Sequence, residues 1–302
     1  MITSTTYNRA FWNAMRGNRE AFTEIREGSL NDGAYILPNE FRSNFTAALE
    51  KENIFRRYST VLSTSPSESV IEAVASTGTA AWVGEGVAIP ESSDRFTTLR
   101  LNAYKLAALS RIKQSFIQDT MFNVEKYLTN EFARRFGRAE EDAFIIGDGE
   151  TRPSGILHET QGAQVGVTAA SETALTFDEV KALYFALNPE FRRNAIWIMN
   201  DQTAFHLRTL KDISGASLWN DNSGTILNRP VEISPFMPDI AAGTKPIVFA
   251  DLQYYWITER QPLAVKILSE KYILQGHIGL AAHEVLDGRL IMPEAAQVLK
   301  MA

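Results

Sequence analysis

The chain has 302 residues, of which 45% are hydrophobic and 22% are charged, as is typical of a folded globular protein. Its formal net charge of −6 disfavours sequence-wide attraction to nucleic acid, because neutralising phosphates requires a basic surface. The lack of cysteine excludes disulfides, thiolate metal ligands and cysteine nucleophiles.

The first 32 residues are polar and mixed in charge, and they predict an arm with some helix. Phe11 and Trp12 lie in this arm, which cannot bury them by itself, so we expect them to contact another subunit. There is no apolar signal core, and the early glutamates argue against a transit peptide. No apolar run approaches the roughly 20 residues that cross a bilayer. We therefore expect a protein that folds in a cytoplasm and has no membrane partner.

A short amphipathic helix is predicted over residues 39–51, and an unusual segment rich in Ser, Thr and Ala follows over residues 63–105. The flanks of this segment, residues 70–74 and 99–103, have extended patterns, which predict a long two-stranded excursion with an irregular tip. Because an isolated two-stranded hairpin is only marginally stable in water, we expect it to lie on another subunit.

The tip of this excursion contains two candidate inter-subunit contacts, Trp82 and Glu85. Buried aromatic side chains dominate the energetics of many interfaces, so Trp82 is the expected anchor.

The strongest helical pattern begins after Asp119, a good N-cap residue, and ends at Gly147. Its apolar stripe repeats at every fourth position through Val124, Leu128, Phe132 and Phe136. The pattern predicts a helix of about 27 residues, or about 40 Å. The opposite face is charged and is expected to contact solvent or another subunit, and it comprises Glu125, Lys126, Arg134, Arg135, Arg138, Glu140 and Glu141.

From Thr176 onwards, helical and extended patterns alternate, which indicates a mixed α+β region. Thr176 and Glu179 form a capping-box pattern, and a second helix is predicted over residues 201–211. Strands are predicted over residues 196–199, 231–233, 247–249, 254–258 and 263–268.

No catalytic, cofactor or metal site is predicted. Residues 147–155 are rich in glycine but follow a helix and include no lysine, so a helix C-cap and turn is favoured over a phosphate-binding loop. Ser154 and His158 lack an orienting acid and do not make a triad. The acids at 140–142 are interpreted as solvated. The four histidines include no pair on one helical turn.

The order and spacing of several of these stretches resemble the major capsid protein family of tailed bacteriophages, which has the Hong Kong 97-type fold. The match runs along nearly the whole chain from about residue 8, and its most specific part spans residues 140–156. The other matching stretches are residues 33–38, 82–86, 89–92, 96–109, 115–119, 207–215, 229–231, 249–260, 287–289 and 293–295.

The resemblance implies an α+β fold with an N-terminal arm, an extended β-hairpin loop, a peripheral domain that carries the long spine helix, and an axial domain. It places the arm at residues 1–32, the peripheral domain at 33–62, 106–159 and 256–289, the extended loop at 63–105, and the axial domain at 160–255 and 290–302.

The implied function is self-assembly into an icosahedral shell of hexamers and pentamers, which encloses double-stranded DNA without sequence specificity. The implied partners are a portal, decoration proteins and a separate scaffolding protein. Many relatives carry a scaffolding segment before the arm, and Met1 lies almost at the arm here, so we expect either that separate protein or a chain trimmed to its mature form. The alternatives are an encapsulin-type nanocompartment shell and, from a different class, an uncharacterised α/β enzyme. The arm upstream of Gly33 and the spine-helix motif favour the virion shell, which is assembled in the bacterial host cytoplasm.

Some relatives join subunits covalently through a lysine, an asparagine and a glutamate base. The resemblance places Ile89 at the lysine position, Gln275 and Gly276 near the asparagine position, and His283 with Glu284 near the glutamate position. We therefore expect a shell without covalent cross-links.

Overall fold

The computed structural model describes residues 5–15, 18, 20–26, 29, 34–65, 70–76, 82–83, 95–100, 102–118, 123–211, 217, 219–220, 223–268 and 270–302. The helices are α1 Thr5–Met15, α2 Ala21–Glu24, α3 Asn39–Glu52, α4 Ile54–Tyr58, α5 Gln114–Gln118, α6 Val124–Ile146, α7 Phe177–Ala186, α8 Pro189–Arg192 and α9 Asp201–Thr209.

The strands form the mixed α+β fold that the sequence predicts. They are β1 Tyr35–Ile36, β2 Thr60–Ser63, β3 Val70–Ser76, β4 Arg95–Arg100, β5 Tyr104–Lys113, β6 Gln164–Thr168, β7 Ile196–Met199, β8 Trp219–Asn220, β9 Thr225–Ile226, β10 Arg229–Ile233, β11 Ile247–Ala250, β12 Tyr255–Leu268, β13 His277–Leu290 and β14 Ala296–Lys300.

A five-stranded sheet is built around the long antiparallel pair β12 and β13, with β5 beside β13 and with β1 and β2 paired to β12. The two strands predicted at 254–258 and 263–268 are parts of one continuous strand, β12. Its pairing with β13 shifts register on either side of Gln261, but the strand does not end there. Pro262 lies in this irregular stretch, where the missing N–H of proline is tolerated. Strand β13 was not predicted from the sequence pattern.

A seven-stranded sheet has the order β6-β14-β11-β7-β10-β9-β8. Its central strands β7 and β11 are buried along their whole length, which confirms the strand predicted at 196–199. The predicted capping box is present at the start of α7, where the Thr176 Oγ1 accepts from the Glu179 N–H and the Glu179 carboxylate accepts from the Thr176 N–H. The two larger sheets share a core in which the rings of Phe55, Phe144 and Tyr255 contact one another.

The predicted spine helix is α6, and its apolar stripe is buried at Leu128, Phe132 and Phe136 as expected. The helix has 23 residues, or about 34 Å at 1.5 Å per residue. Its N-cap is Asn123, whose side chain accepts from the Lys126 N–H at 2.9 Å. The prediction that Asp119 is the N-cap is therefore wrong. Asp119 itself lies outside the described residues. Gly147 ends the helix as predicted.

The expectation that Phe11 and Trp12 contact another subunit is wrong, because both are buried in this chain's own core. They are 1% and 9% exposed, and their rings meet edge to face with centroids 5.3 Å apart. The Trp12 ring also packs on Phe41 of α3 at 5.4 Å. The apolar face of α3 supplies the partner surface, which local spacing in the arm could not reveal.

The expectation that Glu140 and Glu141 lie on a solvated face of α6 is also wrong. They are 2% and 4% exposed. Glu140 forms an ion pair with Arg56, and Glu141 accepts from the Ile54 N–H at 3.0 Å. Both partners lie on α4, so the burial of these acids depends on a tertiary contact.

Candidate functional site

The extended segment forms a hairpin that stands apart from the two larger sheets. Strands β3 and β4 pair antiparallel, from Val70 opposite Arg100 to Ser76 opposite Arg95, with one register shift. Within the described residues they form a separate two-stranded sheet. This confirms the two-stranded excursion predicted from the sequence.

The returning strand of the hairpin is fixed at its base by partly buried polar contacts. The Asn102 N–H donates to the Asp287 carboxylate at 2.8 Å, and the Tyr104 hydroxyl donates to the Gly149 carbonyl at 2.6 Å. Burial raises the pKa of Asp287, while hydrogen bonds from the Asn102 and Gly288 N–H groups oppose that shift. The base of the returning strand is thereby tied both to β13 and to the turn after α6.

The outgoing strand is fixed to the same sheet. Strand β2 runs parallel to β12, and the Thr64 N–H then donates to the Glu259 carbonyl at 2.9 Å. The Thr60 hydroxyl donates to the Gln253 carbonyl at 2.9 Å. Both ends of the hairpin are anchored in one sheet, so its direction is set by the fold of the subunit.

Trp82 is the fully exposed aromatic residue of the described part of the tip. Its neighbour Val83 is also exposed. A fully exposed tryptophan leaves a large apolar surface in water, which is a common property of residues that become buried on association. Glu85, the other contact predicted in the tip, lies outside the described residues.

The glycine-rich stretch after α6 is a tight turn, as predicted. The Asp148 carboxylate accepts from the Glu150, Thr151 and Arg152 N–H groups. These bonds, led by one from the Thr151 hydroxyl, hold the pKa of Asp148 well below its usual range. A Cβ on Gly155 would lie 2.5 Å from the Ile145 carbonyl oxygen, so only glycine fits there. The N–H groups that a phosphate would need are already used.

Ser154 and His158 do not form a catalytic pair. Ser154 is buried, and its hydroxyl makes no hydrogen bond within the described structure. His158 Nδ1 instead accepts from the Thr160 and Gln161 N–H groups at 3.2 and 3.1 Å. The described residues contain no group of three His, Asp or Glu side chains placed to hold a metal ion. Among the described helices, none combines the length and apolarity needed to span a membrane.

The three consecutive acids of α6 have separate partners. Glu140 pairs with Arg56 and Asp142 with Arg152. Glu141 accepts from the Ser234 hydroxyl at 2.5 Å, and burial raises its pKa. They join different parts of the fold and do not face a common cleft.

The model of the Phage capsid family matches residues 33–301 of this chain. No curated protein matches the chain.

Several solved structures are similar to this one. The capsid of an empty GTA particle is 29% identical over 85% of this chain and 90% of that chain, with a TM-score of 0.70. The structure from Microbacterium phage Oxtober96 is 17% identical over 83% and 91% of the two chains, with a TM-score of 0.57. The structure from Gordonia phage Cozz is 14% identical over 83% and 87%, with a TM-score of 0.55. The last two share the fold.

Proposed function

This chain belongs to the phage capsid family and is a shell-forming major capsid protein with the Hong Kong 97-type fold, and we propose that it assembles into the icosahedral head of a tailed phage. The shell is built from hexamers and pentamers of this chain and encloses double-stranded DNA. The protein serves as a structural component of the virion and needs no active site for this role.

The observation that carries the proposal is the anchored hairpin that forms a sheet of its own. Two strands alone are marginally stable in water, and the exposed Trp82 adds an apolar surface at the tip. A neighbouring copy that covers this hairpin would stabilise the two strands and would also bury the apolar surface of Trp82. We therefore assign Trp82 as the principal inter-subunit contact of the tip, with Glu85 as a polar neighbour.

The division into an arm, a peripheral domain, an extended loop and an axial domain is part of the proposal. The five-stranded sheet consists of β1, β2, β5, β12 and β13, which supports a peripheral unit. The seven-stranded sheet consists of β6 to β11 and β14, which supports an axial unit.

The proposed partners follow from the role in the head. The packaged DNA is held without sequence specificity, because a chain of net charge −6 tolerates DNA without binding it tightly. A separate scaffolding protein, a portal and decoration proteins complete the proposed set, and assembly takes place in the bacterial host cytoplasm.

Negative-stain microscopy of the purified protein tests the shell, with closed particles or isolated hexamers and pentamers as the expected result. A population of well-folded monomers at micromolar concentration would contradict it. Particles isolated from infected or induced cells are then treated with nuclease, and DNA that survives inside them is expected. Particles filled with enzyme and free of DNA would instead indicate an encapsulin-type compartment.

A further inference from the structure

A cluster of charged side chains lies between the spine helix and the five-stranded sheet. Glu284 of β13 and Glu140 of α6 are 4% and 2% exposed, and Arg56 of α4 is 6% exposed. Glu259 of β12 completes the cluster as a second ion-pair partner of Arg56. The proposed capsid role does not use this cluster.

The pairing within the cluster is uneven. Arg56 binds Glu140 with two hydrogen bonds, from Nε to Oε2 at 2.9 Å and from Nη2 to Oε1 at 2.6 Å, and its Nη1 donates to Glu259. This fork geometry is that of a charge-assisted pair between Arg56 and Glu140. One carboxylate oxygen of Glu284, Oε1, is buried and has no hydrogen-bond partner among the described residues.

Among the described residues, no other charged group donates a hydrogen bond to Glu284 Oε1. Arg42 of α3 lies 4.0 Å from the far side of Glu259 and is half exposed. The hydroxyl of Tyr255 is committed to the Ser154 carbonyl at 2.7 Å. On β5 the residue opposite Glu284 is the uncharged Leu106.

Glu141, next along α6, is also committed, because it bonds the Ile54 N–H and the Ser234 hydroxyl. If Glu140, Glu259 and Glu284 all carried a negative charge, these three carboxylates would face only two arginines, Arg56 and Arg42. One buried negative charge would then lack compensation, which is costly in a low-dielectric interior. A proton on Glu284 removes that charge and provides the donor that a hydrogen bond to Glu140 requires.

We propose that Glu140 and Glu284 hold one proton between them and that this proton latches the spine helix to the five-stranded sheet. When hydroxide removes the proton, two buried carboxylates repel each other across the junction between α6 and β13, and the junction loosens. The latch contributes to the stability of the subunit at low pH, and this contribution is lost as the pH rises.

The direction of this pH dependence follows from linkage. Burial, followed by the charge of Glu140, raises the pKa of Glu284 well above its ordinary value of 4.5, although Arg56 acts in the opposite sense. The folded chain therefore holds a proton that the unfolded chain releases above about pH 4.5. The contribution is fully present below that pH and is lost as pH rises through the raised pKa of Glu284.

The test compares the full-length protein with the Glu284→Gln variant, which stays neutral and can donate to Glu140 at every pH. Thermal and denaturant unfolding are measured between about pH 5 and pH 9. The unfolding equilibrium constant of the wild type is expected to rise by up to about tenfold more per pH unit than that of the variant. Glu172→Gln, at an exposed glutamate, is the matched control and should retain the wild-type slope. Equal slopes for wild type and Glu284→Gln would overturn the proposal.

A second measurement detects the proton itself and does not require the variant to fold well. Infrared spectroscopy in deuterated buffer at neutral pH should show the C=O stretching band of a buried protonated carboxylic acid. This band should disappear in wild type as the pH rises, in step with the loss of stability, and should be weaker in Glu284→Gln. A wild-type spectrum without such a band at neutral pH would refute the shared proton, whether or not the protein forms shells.

Discussion

The backbone N–H of Asn102 donates a hydrogen bond to the carboxylate of Asp287, with 2.8 Å between nitrogen and oxygen. Asp287 is buried on β13, and Asn102 is the residue at which the hairpin returns to the sheet. The same carboxylate accepts from the Gly288 N–H at 2.8 Å. This side chain is thus one of the contacts that anchor the base of the projecting hairpin.

We expect Asp287→Ala to reduce both subunit stability and particle yield. Removing the carboxylate leaves two backbone N–H groups unpaired, which costs about 2 kcal/mol of unfolding free energy. Denaturant unfolding of unassembled subunits measures the cost, and microscopy measures the yield. Asp178→Ala is the control, because Asp178 is exposed and its change should stay within about 0.5 kcal/mol. An unchanged unfolding free energy in Asp287→Ala would show that the anchor is dispensable.

We expect Trp82→Ala to lower the yield of particles and leave the circular dichroism spectrum of the subunit unchanged. The side chain is fully exposed in the subunit, so its loss removes interface area without disturbing the core. Trp82→Phe keeps an aromatic ring and should retain more of the yield. Particle yields from Trp82→Ala equal to wild type would remove Trp82 from the interface.

We expect Phe11→Ala to destabilise the subunit itself, by about 3–5 kcal/mol, because it empties a buried aromatic site between the arm and α3. Unfolding of unassembled subunits measures this loss. Phe205→Ala is the matched control, since Phe205 is 70% exposed. If Phe11→Ala impaired assembly alone and left subunit stability unchanged, the arm would dock on a neighbour.

We expect Arg56→Met to be strongly destabilising, by about 3–5 kcal/mol, because Glu140 would keep a buried charge without its partner. Arg56→Lys should recover only part of the loss, since lysine cannot reproduce the two-pronged contact with one carboxylate. The comparison uses unfolding free energies at neutral pH. Equal stability of the arginine and lysine forms would mean that the fork geometry contributes nothing.

We expect mature particles boiled in detergent to give a single band at the 33.7 kDa mass of the monomer. Ile89 lies outside the described residues, but an isoleucine cannot act as the nucleophile of an isopeptide bond. Glu284 is buried against Arg56 and Glu140. A glutamate that is buried within β13 in this way is not exposed to act as a base toward a neighbouring subunit. A ladder of covalent oligomers would contradict this prediction.

The features that the sequence predicted correctly are those with local causes. The apolar stripe of α6 follows from apolar residues at every fourth position. The capping box of α7 follows from Thr176 and Glu179 alone. The paired strands β3 and β4 follow from extended patterns on both sides of an irregular tip. The family followed from the order of short motifs along nearly the whole chain.

The features that only the tertiary structure decided depend on residues far apart in the chain. Glu140 has the same charge and helical position as a solvated glutamate, and it is buried because Arg56, 84 residues away, reaches it from α4. The sequence shows that Phe11 and Trp12 need an apolar partner, but it does not show which surface provides it. In the structure, that surface is the apolar face of α3 of the same chain. Likewise, β12 is one continuous strand because it pairs with β13 on both sides of its register shifts. Local spacing determines which face of an element is apolar, whereas the identity of the covering surface depends on how the whole chain packs.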